Sequence, residues 1–103
     1  DELRNRIYVS NYLSGDVWVY DANSLNVLKV IPVGPGATLM RILPAIDAVA
    51  VVVRGPNGVA IIENMNMLAV LGTTGAGAFG LAADPDHNFF IVINRDASNG
   101  RVI

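Results

Sequence analysis

The sequence predicts an all-β chain made of repeated antiparallel units, on three observations. Apolar residues come in short runs interrupted by Gly, Pro, Asn or Asp, with no sign of the spacing that an amphipathic helix imposes. A strand, a glycine turn and a second strand occur three times, as IYVSN-YLSGD-VWVYD, AVVVR-GPNG-VAIIE and FIVIN-RDASNG-RVI. The turn glycines Gly15, Gly58 and Gly100 stand 43 and then 42 positions apart, a period that suits one four-stranded propeller blade. The expected fold is about two and a half four-stranded antiparallel blades of a β-propeller, part of a larger ring, in units of approximately residues 1–36, 37–77 and 78–103.

Each element follows from its local residues. Ile7 to Ser10 and Val17 to Asp21 are rich in β-branched and aromatic side chains and flank a turn built on Ser14 and Gly15. After a polar turn, Val27 to Val33 forms an outer strand that ends at a glycine-marked crossing, GPGAT, and Leu39 to Leu43 opens the next unit. Ala48 to Val53 and Val59 to Glu63 flank Asn57-Gly58, a pair that supplies the positive φ of a tight hairpin. Met67 to Leu71 is the second outer strand, Phe79 to Ala83 runs up to Asp84-Pro85, and Phe89 to Asn94 and Arg101 to Ile103 flank Asn99-Gly100. The runs AVAVVV and FFIVIN have no polar alternate face, as expected of strands covered on both sides.

Composition narrows the class of function. Hydrophobic residues make up 52% and charged residues 16% of the chain, so much apolar surface must be buried against a neighbour. The net charge of -2 and the scattered basic residues give no cationic face for a phosphate backbone, which argues against nucleic acid. The longest apolar run, Ala48 to Val53, is too short for a membrane span. Without cysteine there is no disulfide framework or thiolate chemistry. The opening DELRNR, with neither Met nor an apolar leader, is expected of a processed or excised N-terminus.

IYVSN, a glycine turn, and then VWVYDANSLNVLKVIPVG resemble the YVTN-type β-propeller repeat, grouped with NHL-like and surface-layer propeller repeats. GLAADPDHNFFIVIN resembles that family's innermost strand, its aspartate-proline turn and the next YVTN strand. The middle unit departs from the pattern: Arg54 stands where Asn11 and Asn94 stand, Glu63 replaces Asp21, and His87 takes a turn position that is usually Gly. The resemblance implies that the chain begins at strand B of one blade and stops inside strand C of the third. It also implies an extracellular or periplasmic setting. The open blade faces would be covered by remaining blades of the same polypeptide or by another subunit, and a longer propeller is the simplest account.

Candidate chemistry is sparse. GAGAFG, Gly75 to Gly80, matches the dinucleotide fingerprint, but the residues after it run into Pro85 and leave no room for the helix that motif needs, so a blade-to-blade crossing explains it better. Asp84, Asp86 and His87 read as turn chemistry in preference to a metal site. No catalytic residue, cofactor or metal is expected. Trp18, Tyr20 and Tyr8 are expected to pack between blades, and Met65 and Met67 to fill a turn and an outer strand. Ligand contacts are expected on the loops that join strands B to C and D to A, at Tyr12, Arg54, Arg95 and Asp96. The function expected is a non-enzymatic binding or scaffold module that presents these loops to a protein or glycan. The alternative is a fragment of a propeller enzyme, an oxidoreductase subunit or lactonase-like hydrolase, whose active site draws on other blades.

Overall fold

The computed structural model describes residues 1–54, 58–72, 78–94 and 99–102. Ten strands follow one another: β1 (Arg6–Asn11), β2 (Asp16–Asp21), β3 (Val27–Pro32), β4 (Ala37–Leu43), β5 (Ala48–Val53), β6 (Gly58–Glu63), β7 (Asn66–Gly72), β8 (Ala78–Asp84), β9 (Phe89–Asn94) and β10 (Asn99–Val102). A 3-10 turn, Pro44–Ile46, lies between β4 and β5. The strands form three separate antiparallel sheets, β1-β2-β3, β4-β5-β6-β7 and β8-β9-β10, each a meander in chain order. These are propeller blades: the middle one is complete, the first holds the three outer strands, and the third holds the three inner ones.

Alternation along β5 explains why that strand carries no polar residue. Val49, Val51 and Val53 point to the first sheet and pack with Val17, Val19 and Ile31. Ala48, Ala50 and Val52 point to the third sheet and join Leu81 and Phe90. A strand with a hydrophobic core on each side has no wet face. Each fully buried Val or Ile in these two layers contributes about 1.5–3 kcal/mol, so the two interfaces, more than any single sheet, hold the chain together.

Repetition extends to detail. The β2–β3 ladder shifts register between Val19 and Tyr20, and the β6–β7 ladder shifts at the equivalent Ile61 and Ile62. Asn5, Asp47 and Asn88, each just before a second strand, have φ of 56°, 51° and 56°. The carbonyl of Asn5 accepts the Ala22 N–H at 2.9 Å, as that of Asp47 accepts the Asn64 N–H at 3.1 Å. The positive φ in the Asp84-to-Asn88 turn therefore falls on Asn88 and not on His87, so the missing glycine at His87 costs no strain.

Candidate functional site

At one end of the blades the B-to-C hairpin of the first sheet is tied to the crossing that follows β3. The Gly15 carbonyl accepts the N–H groups of Val33 and Gly34, both at 2.9 Å. Gly15 has φ of +70°, and a Cβ there would lie 2.7 Å from the carbonyl carbon of Gly34, so only glycine fits. The Tyr12 carbonyl accepts the Gly36 N–H at 3.0 Å, and the Gly36 carbonyl in turn accepts the Arg54 N–H at 3.1 Å. Tyr12 and Arg54, 42 residues apart in sequence, are thereby brought to the same rim through one glycine. Both side chains are exposed, Tyr12 at 54%, and Leu13 beside it is 92% exposed. Arg95 and Asp96 lie outside the described residues.

Polar side chains stiffen the hairpin from within. One Asp16 oxygen accepts from Asn11 Nδ2 at 3.0 Å, Ser14 Oγ at 2.8 Å and Trp18 Nε1 at 3.2 Å. The Asn11 and Ser14 hydrogen bonds, which favour the charged form, hold the Asp16 carboxyl below its ordinary range. Asn11, Ser14 and Asp16, with the stacked rings of Trp18 and Tyr20 (centroids 6.2 Å apart), line a cleft of about 340 Å³. Tyr8 packs into the core between the first two sheets, as the sequence suggests. Trp18 and Tyr20 do not. They alternate with Val17 and Val19, which face the second sheet, so the two rings stand on the opposite face of the first sheet, in positions equivalent to Ala60 and Ile62, the residues by which the second sheet packs on the blade before it.

The opposite end holds a cluster that the sequence did not suggest. Asp47, only 7% exposed, takes Arg6 Nη1 on one oxygen at 2.9 Å and lies 3.6 Å from Arg4 Nε on the other. Arg4 also donates to the Pro44 carbonyl and pairs with Asp1 at 3.4 Å. Burial opposes the charge on Arg6, but hydrogen bonds to Tyr8 and Asp47 outweigh it and hold the guanidinium pKa above its usual value. This cluster joins the first sheet to the second and leaves no charged group poised for chemistry. A signal existed in the sequence: DELRN at the start matches DPDHN at 84–88, which marks Arg4 as a turn residue facing the next unit.

In DPDHN itself, Asp84 accepts the Asp86 N–H at 3.1 Å and lies 2.9 Å from His87 Nδ1, the geometry of a self-capped turn. No group of three or more His, Asp or Glu close enough to hold a metal ion occurs among the described residues. The last part of GAGAFG, Ala78 to Gly80, is the start of β8, so a strand stands where a nucleotide fold would place a helix.

No family model and no curated protein matches the chain. Among solved structures it is similar to Kuenenia stuttgartiensis hydrazine synthase, with a TM-score of 0.78 and 22% identity over 96% of this chain and 34% of that one. The chain thus spans about a third of the length of that neighbour. At this identity the likeness shows the fold, antiparallel propeller blades.

Proposed function

We propose that the chain is a stretch of a YVTN-like β-propeller that acts as a non-enzymatic binding module outside the cytoplasm and presents the Tyr12–Arg54 rim to a protein. The observation that carries this is the pairing of exposed Tyr12, Leu13 and Arg54 with a backbone network that fixes the loops beneath them. Tyr and Arg are over-represented among the residues that dominate protein interfaces, and a preordered loop loses little entropy on binding. The IYVSN and IPVG motifs support the YVTN assignment and, with it, an extracellular or periplasmic setting.

The rival, a fragment of a propeller enzyme, is favoured by one observation: the structural neighbour is named as a synthase. A photo-crosslinking residue at position 12 of the native polypeptide, in its own cells, separates these readings. A discrete protein adduct that disappears with Arg54→Ala supports the rim. Binding to a glycan array with no protein adduct would transfer the rim to a sugar ligand. Turnover that survives loss of the rim but not of Arg41, exposed on the inner strand β4, would favour the enzyme.

A further inference from the structure

The edge of β1 that faces away from β2 has one pairing, at its first residue. Arg6 donates its backbone N–H to the Asp1 carbonyl at 3.0 Å, and the Asp1 nitrogen donates back to the Arg6 carbonyl at 2.9 Å. A mutual exchange of this kind is one rung of an antiparallel ladder. The equivalent rungs in the other blades are Leu43 with Ala48, which ends the β4–β5 ladder, and Asp84 with Phe89, which ends the β8–β9 ladder. All three close through the left-handed residue that precedes the second strand, Asn5, Asp47 or Asn88. Asp1 therefore occupies the place of the last residue of an inner strand.

Beyond Asp1 the place of that strand is a groove of about 490 Å³ between β1 and β4, with Tyr8, Met40 and Ile42 on its apolar side and Arg6 and Arg41 beside them. In the next blade the corresponding place is filled by β4, which pairs with β5 and packs on β8. We propose that this groove seats an inner β-strand that runs antiparallel to β1, leads directly into Asp1 and completes the first blade. Both β4 and β8 have seven residues, so six more beyond the Asp1 rung would make the first blade their equal. Main-chain bonds to Tyr8 and Ser10, which alternate onto the same edge as Arg6, supply the affinity. Met40 and Ile42 of β4 face the first sheet, and Leu81 and Ala83 of β8 face the second. The equivalent positions of the incoming strand, the first and third before Asp1, therefore turn away from the groove toward a preceding blade, and the second and fourth, on the face of Asp1, turn into it. Like β4 and β8, the incoming strand carries apolar residues at the first and third of these positions.

This deepens the reading of the chain as part of a larger ring and is independent of what the rim binds, since loss of rim binding leaves the β1 edge untouched. The test is a chain with AFGLAA, a copy of residues 78–83, placed ahead of Asp1, compared with the 103-residue chain by amide exchange. Tyr8 and Ser10 are expected to exchange at least about tenfold more slowly in the extended chain. Ser10→Pro removes the edge donor without touching the β1–β2 ladder and is expected to abolish that protection, whereas Ser10→Ala retains it. The amides of Ile7 and Val9, which face β2, stay protected in every form and report that the sheet is folded. Unchanged exchange at Tyr8 and Ser10 would overturn the proposal. So would protection that rises with concentration alongside a sedimenting dimer, since a second copy would then be the occupant.

Discussion

Gly15 is the position where one methyl group tests the architecture of the rim. Its φ of +70° costs an L-residue about 1–2 kcal/mol on its own. The added Cβ of Gly15→Ala would also fall 2.7 Å from the carbon and oxygen of Gly34 and 2.9 Å from the Pro35 nitrogen, all backbone atoms that no rotamer change can move aside. The hairpin and the crossing must separate, which weakens the two bonds that the Gly15 carbonyl accepts from Val33 and Gly34, each worth about 0.5–1.5 kcal/mol. Together these give a loss of about 3 kcal/mol, which in a domain of this size lowers the thermal midpoint by about 12–24 °C. Urea titration and thermal melting followed by circular dichroism measure it, with Ser14→Ala as a control that removes one exposed hydrogen bond and is expected to cost less than about 0.5 kcal/mol. A loss below about 1 kcal/mol for Gly15→Ala would show that the hairpin is not clamped to the crossing, and the shared rim of Tyr12 and Arg54 would lose its basis.

Three further outcomes follow from the same geometry. Asp47→Asn keeps the shape and the left-handed backbone but removes the charge that Arg4 and Arg6 share, so it is expected to destabilise by about 1–2 kcal/mol at low salt and by less at high salt, read by urea titration at the two ionic strengths. Leu25 is 64% exposed with φ of 61°, and Leu25→Asn, which tolerates that conformation, is expected to stabilise by about 0.5–1 kcal/mol in thermal melting. Backbone N–H groups of Ser24 and Asn23 hold the Asp21 carboxyl below its ordinary range, as the hydrogen bond to His87 holds Asp84. The unfolded chain then binds more protons in acid, so these contributions are intact above about pH 4 and are lost as pH falls through the lower folded values. Melting from pH 6 downward should show a shallower acid decline for Asp21→Asn than for the parent, and parallel declines would contradict the assignment.

The strands were legible because their chemistry is local. Runs of Val and Ile bounded by Gly, Asn or Asp can do little but extend, and AVAVVV announced its two covered faces by having no polar residue to spare. What depends on a second segment was harder to see. The turn at Asn64 and Met65 has φ of 53° and 59°, an unfavourable choice for Met that is offset because Met65 packs on the first core. Its sequence, NM, carries no hairpin signature. The Asp47 cluster joins residues about 40 positions apart, and the middle unit's LPAID hides the match between DELRN and DPDHN that would have pointed to it. Of the candidate site, Tyr12 and Arg54 could each be placed on a loop from sequence, but their common attachment to Gly36 follows only from how the crossing folds back.

The two ends of the blades are joined by different physics, and the difference bears on function. At the rim, the crossing from the first blade to the second is held mainly by backbone groups, Gly15 to Val33 and Gly34, and Gly36 to Tyr12 and Arg54, with one side-chain bond from Ser10 Oγ to the Thr38 carbonyl at 2.8 Å. The backbone bonds do not depend on side-chain identity, so Tyr12, Leu13 and Arg54 are free to vary without loosening the loops that carry them. At the opposite end the join is made by side chains, and it is particular to one interface: the positions equivalent to Asp47 are Asn5 and Asn88, and those equivalent to Arg6 are Ala48 and Phe89. A charge placed at those sites in another blade would find no partner, and an unpaired buried charge is costly. The Asp47 cluster thus specifies which blade follows which, while the rim leaves its side chains available for recognition. Selection for a new ligand at Tyr12 and Arg54 can therefore proceed without disturbing the order of the blades beneath.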